Sequence, residues 1–180
     1  DYTTVADGNG DWSITPDTPL ADGTTVTATA SDEAGNESAP ATVVVDGVAP
    51  IVTVNDATTN DATPTLTGSV DDATASVTVT VDGADYPATN NGDGTWTLAD
   101  NTLASLTDNS YTVTVTATDE AGNQGGASGT SVVDTVGPIV TANDVTTNDT
   151  TPALVGTVND VTADITVTVN GVDYPATNNG

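Results

Sequence analysis

Along the middle of the chain apolar residues and threonines alternate. Val77, Val79 and Val81 interleave with Thr78 and Thr80, and Tyr111, Val113, Val115 and Ala117 interleave with Thr112, Thr114 and Thr116. A period of two puts the aliphatic groups on one face and the hydroxyls on the other, the signature of a half-buried strand. β-Branched residues dominate these runs and nothing recurs at helical spacing. Turn-forming clusters interrupt them every 8 to 12 residues or so. Asn90-Asn91-Gly92-Asp93-Gly94 and Asp119-Glu120-Ala121-Gly122-Asn123 supply the positive-φ positions that hairpins need. The pattern predicts strands over 50–55, 63–70, 75–82, 84–89, 95–99, 110–118 and 128–134. Trp96, Leu98, Leu66 and Tyr111 are its expected core anchors, since large aromatics are usually packed inside.

The same segment recurs. Ile51-Val52-Thr53 returns at Ile139-Val140-Thr141, Thr59-Asn60-Asp61 at Thr147-Asn148-Asp149, and Val81-Asp82-Gly83-Ala84-Asp85-Tyr86-Pro87 at Val169-Asn170-Gly171-Val172-Asp173-Tyr174-Pro175. Each return comes 88 residues later, as from 51 to 139. The first part of the chain matches the other half of this unit: Asp1-Tyr2 aligns with Asp85-Tyr86, Trp12 with Trp96, and Asp32-Glu33-Ala34-Gly35-Asn36 with Asp119–Asn123. There the offset grows from 84 to 87 and then 88, a gain of four residues of the kind loops absorb. The expected organisation is therefore the C-terminal half of a repeat over 1–47, a complete repeat over 48–137 and the N-terminal half of another over 138–180. Seven strands in about 88 residues is the count of an immunoglobulin-like β-sandwich, so the expected fold class is all-β, in tandem domains. Covalent continuation at both ends is the expectation; completion of residues 1–47 by residues 138–180 of another molecule, giving a head-to-tail filament, is the alternative.

Charge changes the picture more than composition does. Among 180 residues there is no Lys, Arg, His, Cys or Met, against 26 acidic side chains, for a formal charge of −26. No ordinary salt bridge can form within such a chain. Self-repulsion opposes compaction, which calls for cations from solution. Disorder is the other reading of an acidic chain poor in aromatics, but here the carboxylates are dispersed among regularly alternating apolar residues. With no basic patch, nucleic acid is not an expected partner, and an anionic membrane surface would repel the chain. No apolar stretch approaches the roughly 20 residues of a bilayer span and no signal-like start is present, so no direct membrane insertion is expected. Without cysteine, metal is the usual substitute for disulfides in holding small domains.

The run Thr59-Asn60-Asp61-Ala62-Thr63-Pro64-Thr65-Leu66-Thr67-Gly68, followed by Val81-Asp82-Gly83, Gly94-Thr95-Trp96 and Asp119-Glu120-Ala121-Gly122-Asn123, resembles the bacterial immunoglobulin-like repeats of giant, calcium-dependent secreted adhesins. Through its repeats the likeness covers the whole chain. It implies an extracellular, cell-surface stalk segment in proteins exported by type I secretion, serving adhesion or biofilm formation, with neighbouring repeats of the same chain or adjacent subunits as partners. It also implies calcium at the joints between domains.

Calcium takes six to eight oxygen ligands with forgiving geometry, which suits a chain whose ionisable ligands are nearly all Asp. In a sandwich of this topology the loop after the sixth strand shares a pole with the loop after the second and with the incoming linker. That would gather Asp119, Glu120 and Asn123 with Asp71, Asp72 and the linker residue Asp46. At the other pole Asn55, Asp56, Asn60 and Asp61 would lie near Asp108 and the outgoing linker residue Asp134. The repeats extend these candidates to Asp32, Glu33 and Asn36, and to Asp144, Asp149 and Asp160. Each of them can also be a plain turn former whose side chain caps its own backbone. No calcium loop of the EF-hand type occurs, and zinc lacks its Cys and His ligands. Magnesium demands stricter geometry.

An enzyme is not expected, because His, Lys and Cys are absent and only environment-tuned carboxylates could do acid–base work. The threonine rows could form a carbohydrate- or ice-binding array. Thr on the wet face of a strand is the commoner reason for such rows.

Overall fold

The computed structural model describes residues 2–179, so Asp1 and Gly180, the outermost residues of the repeat alignment, lie outside the described residues. The chain divides into two compact units, Asp1–Val133 and Asp134–Gly180. Among the described residues every regular element is a strand, and no helix is long and apolar enough to cross a membrane.

The first unit begins with a hairpin, β1 (Thr25–Ala28) against β2 (Ala41–Val44), paired antiparallel as a two-stranded sheet of its own. Around it Tyr2, Trp12, Leu20, Val43 and Val44 stay exposed. After Pro50 comes β3 (Ala57–Thr59), then β4 (Leu66–Ser69), β5 (Ser76–Val81), β6 (Ala84–Asn90), β7 (Thr95–Leu98), β8 (Asn109–Thr118) and β9 (Gln124–Val133). They hydrogen-bond in the order β3-β9-β8-β5-β6-β7-β4. Strand β6 pairs with β5 along most of its length, from Ala84↔Val81 to Ala88↔Val77, and then joins β7 through Thr89↔Thr97 and Asn90↔Trp96. By changing partners it links the two layers of an immunoglobulin-like sandwich.

The alternating valines fill the space between those layers. Val77, Val79, Val81, Val113, Val115 and Ala117 are buried while the threonines between them are exposed or half-buried, as a period of two requires. Trp96, Leu98 and Leu66 complete the core. Tyr111 is a correction: it is only half-buried, packed on the rim, because its hydroxyl donates to the Thr107 carbonyl at 3.0 Å and accepts the Thr107 N–H at 3.1 Å. A tyrosine tied four residues upstream at the start of this strand is the tyrosine corner of immunoglobulin-like domains.

The strand expected over 50–55 is also different. Residues 52–55 run beside β4 through a Val52↔Val70 bridge and bonds from Thr53 N to Ser69 O and Asn55 N to Thr67 O, both 2.9 Å. The chain then crosses to the other layer, where β3 pairs parallel with β9. Asp56 fixes the crossing, because its Oδ1 accepts the Thr130 N–H at 2.7 Å. Gly129 leaves room for it: a Cβ there would meet the Val54 and Asp56 side chains.

In the second unit β10 (Val140–Ala142) pairs with β11 (Gly156–Val158), and β12 (Ile165–Val169) with β13 (Val172–Ala176). The β12–β13 register, Ile165↔Ala176 to Val169↔Val172, repeats Val77↔Ala88 to Val81↔Ala84 88 residues earlier. Asp82 and Gly83 turn the first hairpin at φ 51° and 76°, and Asn170 and Gly171 turn the second at 51° and 79°. Two consecutive positive φ angles make the tight turn whose twist matches a hairpin, which is why Asp-Gly and Asn-Gly stand there.

Candidate metal centre at a domain junction

Within the first unit, where the linker after β2 meets the complete sandwich, Asp46, Val48, Ala49, Pro50, Asp71, Asp72 and Asp119 surround an open hollow of about 280 Å³. Four carboxylates expected at one pole therefore line one space. They come from three segments: Asp46 from the linker, Asp71 and Asp72 from the connection between β4 and β5, and Asp119 from the turn after β8. Asp71 follows β4, and its Oδ1 accepts the Ile51 N–H at 2.7 Å while its own N–H donates to the Ile51 carbonyl at 3.1 Å. Asp72 turns the chain toward β5; its Oδ1 accepts both the N–H and the hydroxyl of Thr74, each at 2.7 Å. Asp119 follows β8 and clasps Asn123, taking its N–H on Oδ1 and its side-chain amide on Oδ2, both at 2.8 Å. The same amide reaches the Asp46 carbonyl at 3.2 Å, so the β8–β9 turn holds the linker directly. Asp46 in turn caps the Val48 N–H at 3.1 Å.

These bonds set the electrostatics. The Thr74 N–H and then its hydroxyl hold the Asp72 carboxyl below the ordinary range, against desolvation and the like charge of Asp119, which both push it up. The Asn123 side-chain amide, followed by its backbone N–H, does the same for Asp119. Donors that bind the ionised form favour it, so both groups are anionic at neutral pH. Glu120 is exposed and does not line the hollow.

The remaining candidates are held in turns of their own. Asp61 accepts the Thr63 N–H at 2.8 Å, the largest cause of its lowered pKa, and lies beside Asp100 instead of with Asp56, whose carboxylate is taken by β9. Asp32 clasps Asn36 just as Asp119 clasps Asn123, at 2.8 and 2.7 Å, and Glu33 beside it is exposed. In the second unit Asp149 caps Thr151 and Asp160 caps Thr162, while Asp134 caps Val136 and Asp144 is exposed.

Asn90 is a structural residue that sequence reasoning missed. At the end of β6 it donates its amide to the carbonyls of Asp72 and Ala75 at 2.8 and 2.9 Å and so braces the acidic turn from below. Asn178 does the same to Asp160 and Ala163, both at 3.0 Å. The signal was in the repeat, which returns this amide after 88 residues.

The donor set around the hollow is all oxygen, as a hard divalent cation prefers. The volume exceeds the roughly 30 Å³ share of a water molecule several times over. Among the described residues, however, no three or more acidic side chains are gathered as ligands of one ion. Oxygen chemistry and room fit calcium here; convergence would require the exposed Asp46 and Asp71 side chains to turn inward.

Residues 52–135 match the bacterial Ig-like domain family, and residues 2–47 match a second family of bacterial Ig domains. Both matched segments are thus similar to bacterial Ig-like domains. Among solved structures similar to it is a tetra-tandem repeat in the extending region of a large adhesion protein, 28% identical over 85% of this chain and 44% of that one, with a TM-score of 0.45. Another is a Ca2+-stabilized adhesin with which an Antarctic bacterium reaches out and binds ice, 25% identical over 84% and 45%, TM-score 0.36. A third belongs to a 1.5-MDa bacterial ice-binding adhesin, 28% identical over 61% and 40%, TM-score 0.32. The chain thus spans less than half of each. No curated protein matches it.

Proposed function

We propose that these Ig-like domains form an extender segment of an extracellular bacterial adhesin, and that calcium taken up at the joints fixes the angle between neighbours. The observation that carries the reading is the hollow lined by Asp46, Asp71, Asp72 and Asp119, one from a linker and three from the domain it enters. In a chain of charge −26 with no basic residue, those carboxylates repel one another across a joint. A divalent cation held by both sides would turn the repulsion into a bridge. Asp46 and Asp71, whose side chains are exposed, and Asp72 and Asp119, fixed by their turns, would hold it. A spacer needs no reaction chemistry, in keeping with a sequence lacking His, Lys and Cys.

Small-angle scattering of the chain in calcium and in chelator tests the reading. A longer maximum dimension and a narrower distance distribution in calcium are expected. An unchanged profile would sink it.

A further inference from the structure

Asn170 and Gly171 are the two central residues of the β12–β13 turn, and both are exposed. An Asn-Gly pair sets a side-chain amide beside a backbone nitrogen that no Cβ shields. Whether that nitrogen can attack the amide depends on what else holds it. Three such pairs lie within the described residues, and the fold treats them differently. Gly10 donates its N–H to the Asp7 carbonyl at 3.1 Å. Gly92 donates its own to Asn90 Oδ1 at 3.1 Å, and the Asn91 amide is held as well, by the Thr95 and Thr97 hydroxyls at 2.9 and 3.1 Å. At the third pair neither group is engaged: among the described residues the Gly171 N–H has no acceptor and the Asn170 amide no partner. The space is open too, since a Cβ on Gly171 would meet nothing within 4 Å.

This freedom belongs to the turn and not to the open face of the second unit. In the complete domain Asp82 and Gly83 make the same turn, with matching φ angles and the matching pair Val81↔Ala84, and they are exposed with every strand of their sandwich in place. The Gly83 N–H likewise has no acceptor among the described residues. The reacting pairs differ only in the side chain, a carboxylate at 82 and an amide at 170. The amide carbon is the better electrophile, because the charge of a carboxylate repels a nucleophile.

We propose that Asn170-Gly171 is a site of spontaneous deamidation and isomerisation. The Gly171 nitrogen gives up its proton and bonds to Asn170 Cγ, the Cγ–Nδ2 bond breaks, and ammonia leaves, closing a cyclic imide. Water then opens either of the two imide bonds. Breaking the new bond leaves aspartate, the residue that the complete domain already has in this turn. Breaking the original peptide bond leaves isoaspartate, whose main chain runs through the former side chain and is a methylene longer. By either route a water is taken up and an ammonia released. The aspartate product fits the turn as Asp82 does, whereas the added methylene moves Val172 out of register with Val169. The site needs no calcium, and it stands or falls independently of the joint-stiffening reading.

The test is to age the 180-residue chain in chelator, folded in mildly alkaline buffer and, in parallel, unfolded in urea. Mass spectrometry of pepsin peptides follows the change from amide to acid. Methyl transfer from labelled S-adenosylmethionine by a protein isoaspartyl methyltransferase reads isoaspartate. In the folded chain Asn170 should convert roughly tenfold or more faster than Asn9 and Asn91, whose hydrogen bonds must open first, and isoaspartate should appear in the same peptide. In urea those bonds are gone and the three rates should converge. Asp82→Asn places the same amide in the complete domain, and it should react within about threefold of the rate at Asn170, as the shared turn geometry requires. Asn170 reacting no faster than Asn91 in the folded chain, no isoaspartate in its peptide, an order of rates that survives unchanged in urea, or an Asp82→Asn chain as slow at that turn as at Asn91 overturns the proposal.

Discussion

The Trp96 indole N–H reaches across 43 residues of sequence to the Thr53 carbonyl, 2.8 Å away, over the bare Cα of Gly68. Three features of the sequence, an aromatic, a strand entry and a glycine, meet at this one point. The carbonyl belongs to the segment that runs along β4 without completing a ladder, so the indole supplies a partner that the sheet does not.

Trp96→Phe removes that donor and leaves a carbonyl in the core region unpaired. A loss of about 1–3 kcal/mol is expected, the usual cost of a buried polar group without its partner. Gly68→Ala should cost at least as much, because its Cβ enters the space of both backbone and indole. Urea denaturation of the two variants should show lower midpoints with little change in slope. An unaltered midpoint for Gly68→Ala would mean that the strands are not packed this closely.

Ser131 predicts a change of opposite sign. It is buried at 1% exposure in β9, and its hydroxyl finds no hydrogen-bond partner among the described residues. Its repeat counterpart is Val43, an apolar residue. Ser131→Ala therefore removes an uncompensated polar group and should stabilise the domain by about 1 kcal/mol, a rise of roughly 4–8 °C in Tm for a domain of this size. A lower Tm would show that the hydroxyl is satisfied.

Much of this domain was legible in the sequence because its signals are periodic. The valine–threonine alternation located β5 and β8, and the repeat located their counterparts, β12 at 88 residues after β5 and β1 at 87 residues before β8. The route of residues 50–59 was not legible. Whether that segment stays with β4 or crosses to β9 depends on Asp56 capturing the Thr130 N–H, a contact 74 residues apart in sequence. The acidic turns were legible in kind but not in role. Asp61, Asp72, Asp149 and Asp160 are each followed two residues later by a threonine, and in each case the carboxylate takes that threonine's N–H and hydroxyl. Spacing marks such a turn, whereas only the fold decides which turns share a hollow. Asp72 does so with Asp119, and Asp56 and Asp61 are held apart by their separate partners.

Acid should act on the clasp between Asp119 and Asn123 in a definite direction. The folded carboxyl lies below its ordinary value, chiefly because of the Asn123 amide. Its contribution is therefore fully present above about pH 4 and is lost as pH falls through the lowered folded value. Protonating the other carboxylates relieves repulsion and works the opposite way, so total stability is a poor readout. The difference in urea midpoint between the parent and Asp119→Asn isolates the clasp. It should be largest near about pH 6 and shrink toward about pH 2.5; a difference constant with pH would count against the clasp.

Asp71 gives the sharpest separation of metal binding from folding. In the second unit the equivalent position is Asn159, and its Oδ1 accepts the Ile139 N–H at 2.7 Å, the same distance at which Asp71 Oδ1 holds Ile51. The turn therefore needs an oxygen there and not a charge. Asp71→Asn keeps the acceptor and should leave the stability in chelator within about 0.5 kcal/mol of the parent, as harmless surface changes do. It also removes one negative charge from the rim of the hollow, leaving Asp46, Asp72 and Asp119. If those groups share calcium, isothermal titration should find affinity at the joint reduced roughly tenfold or more, since calcium affinity follows the number of charged ligands. The extra stability that calcium confers on the parent should shrink in step, because a ligand stabilises only by its affinity for the folded form. Equal calcium affinity in the two chains would place any bound ion elsewhere and leave the hollow a solvated gap between acidic turns.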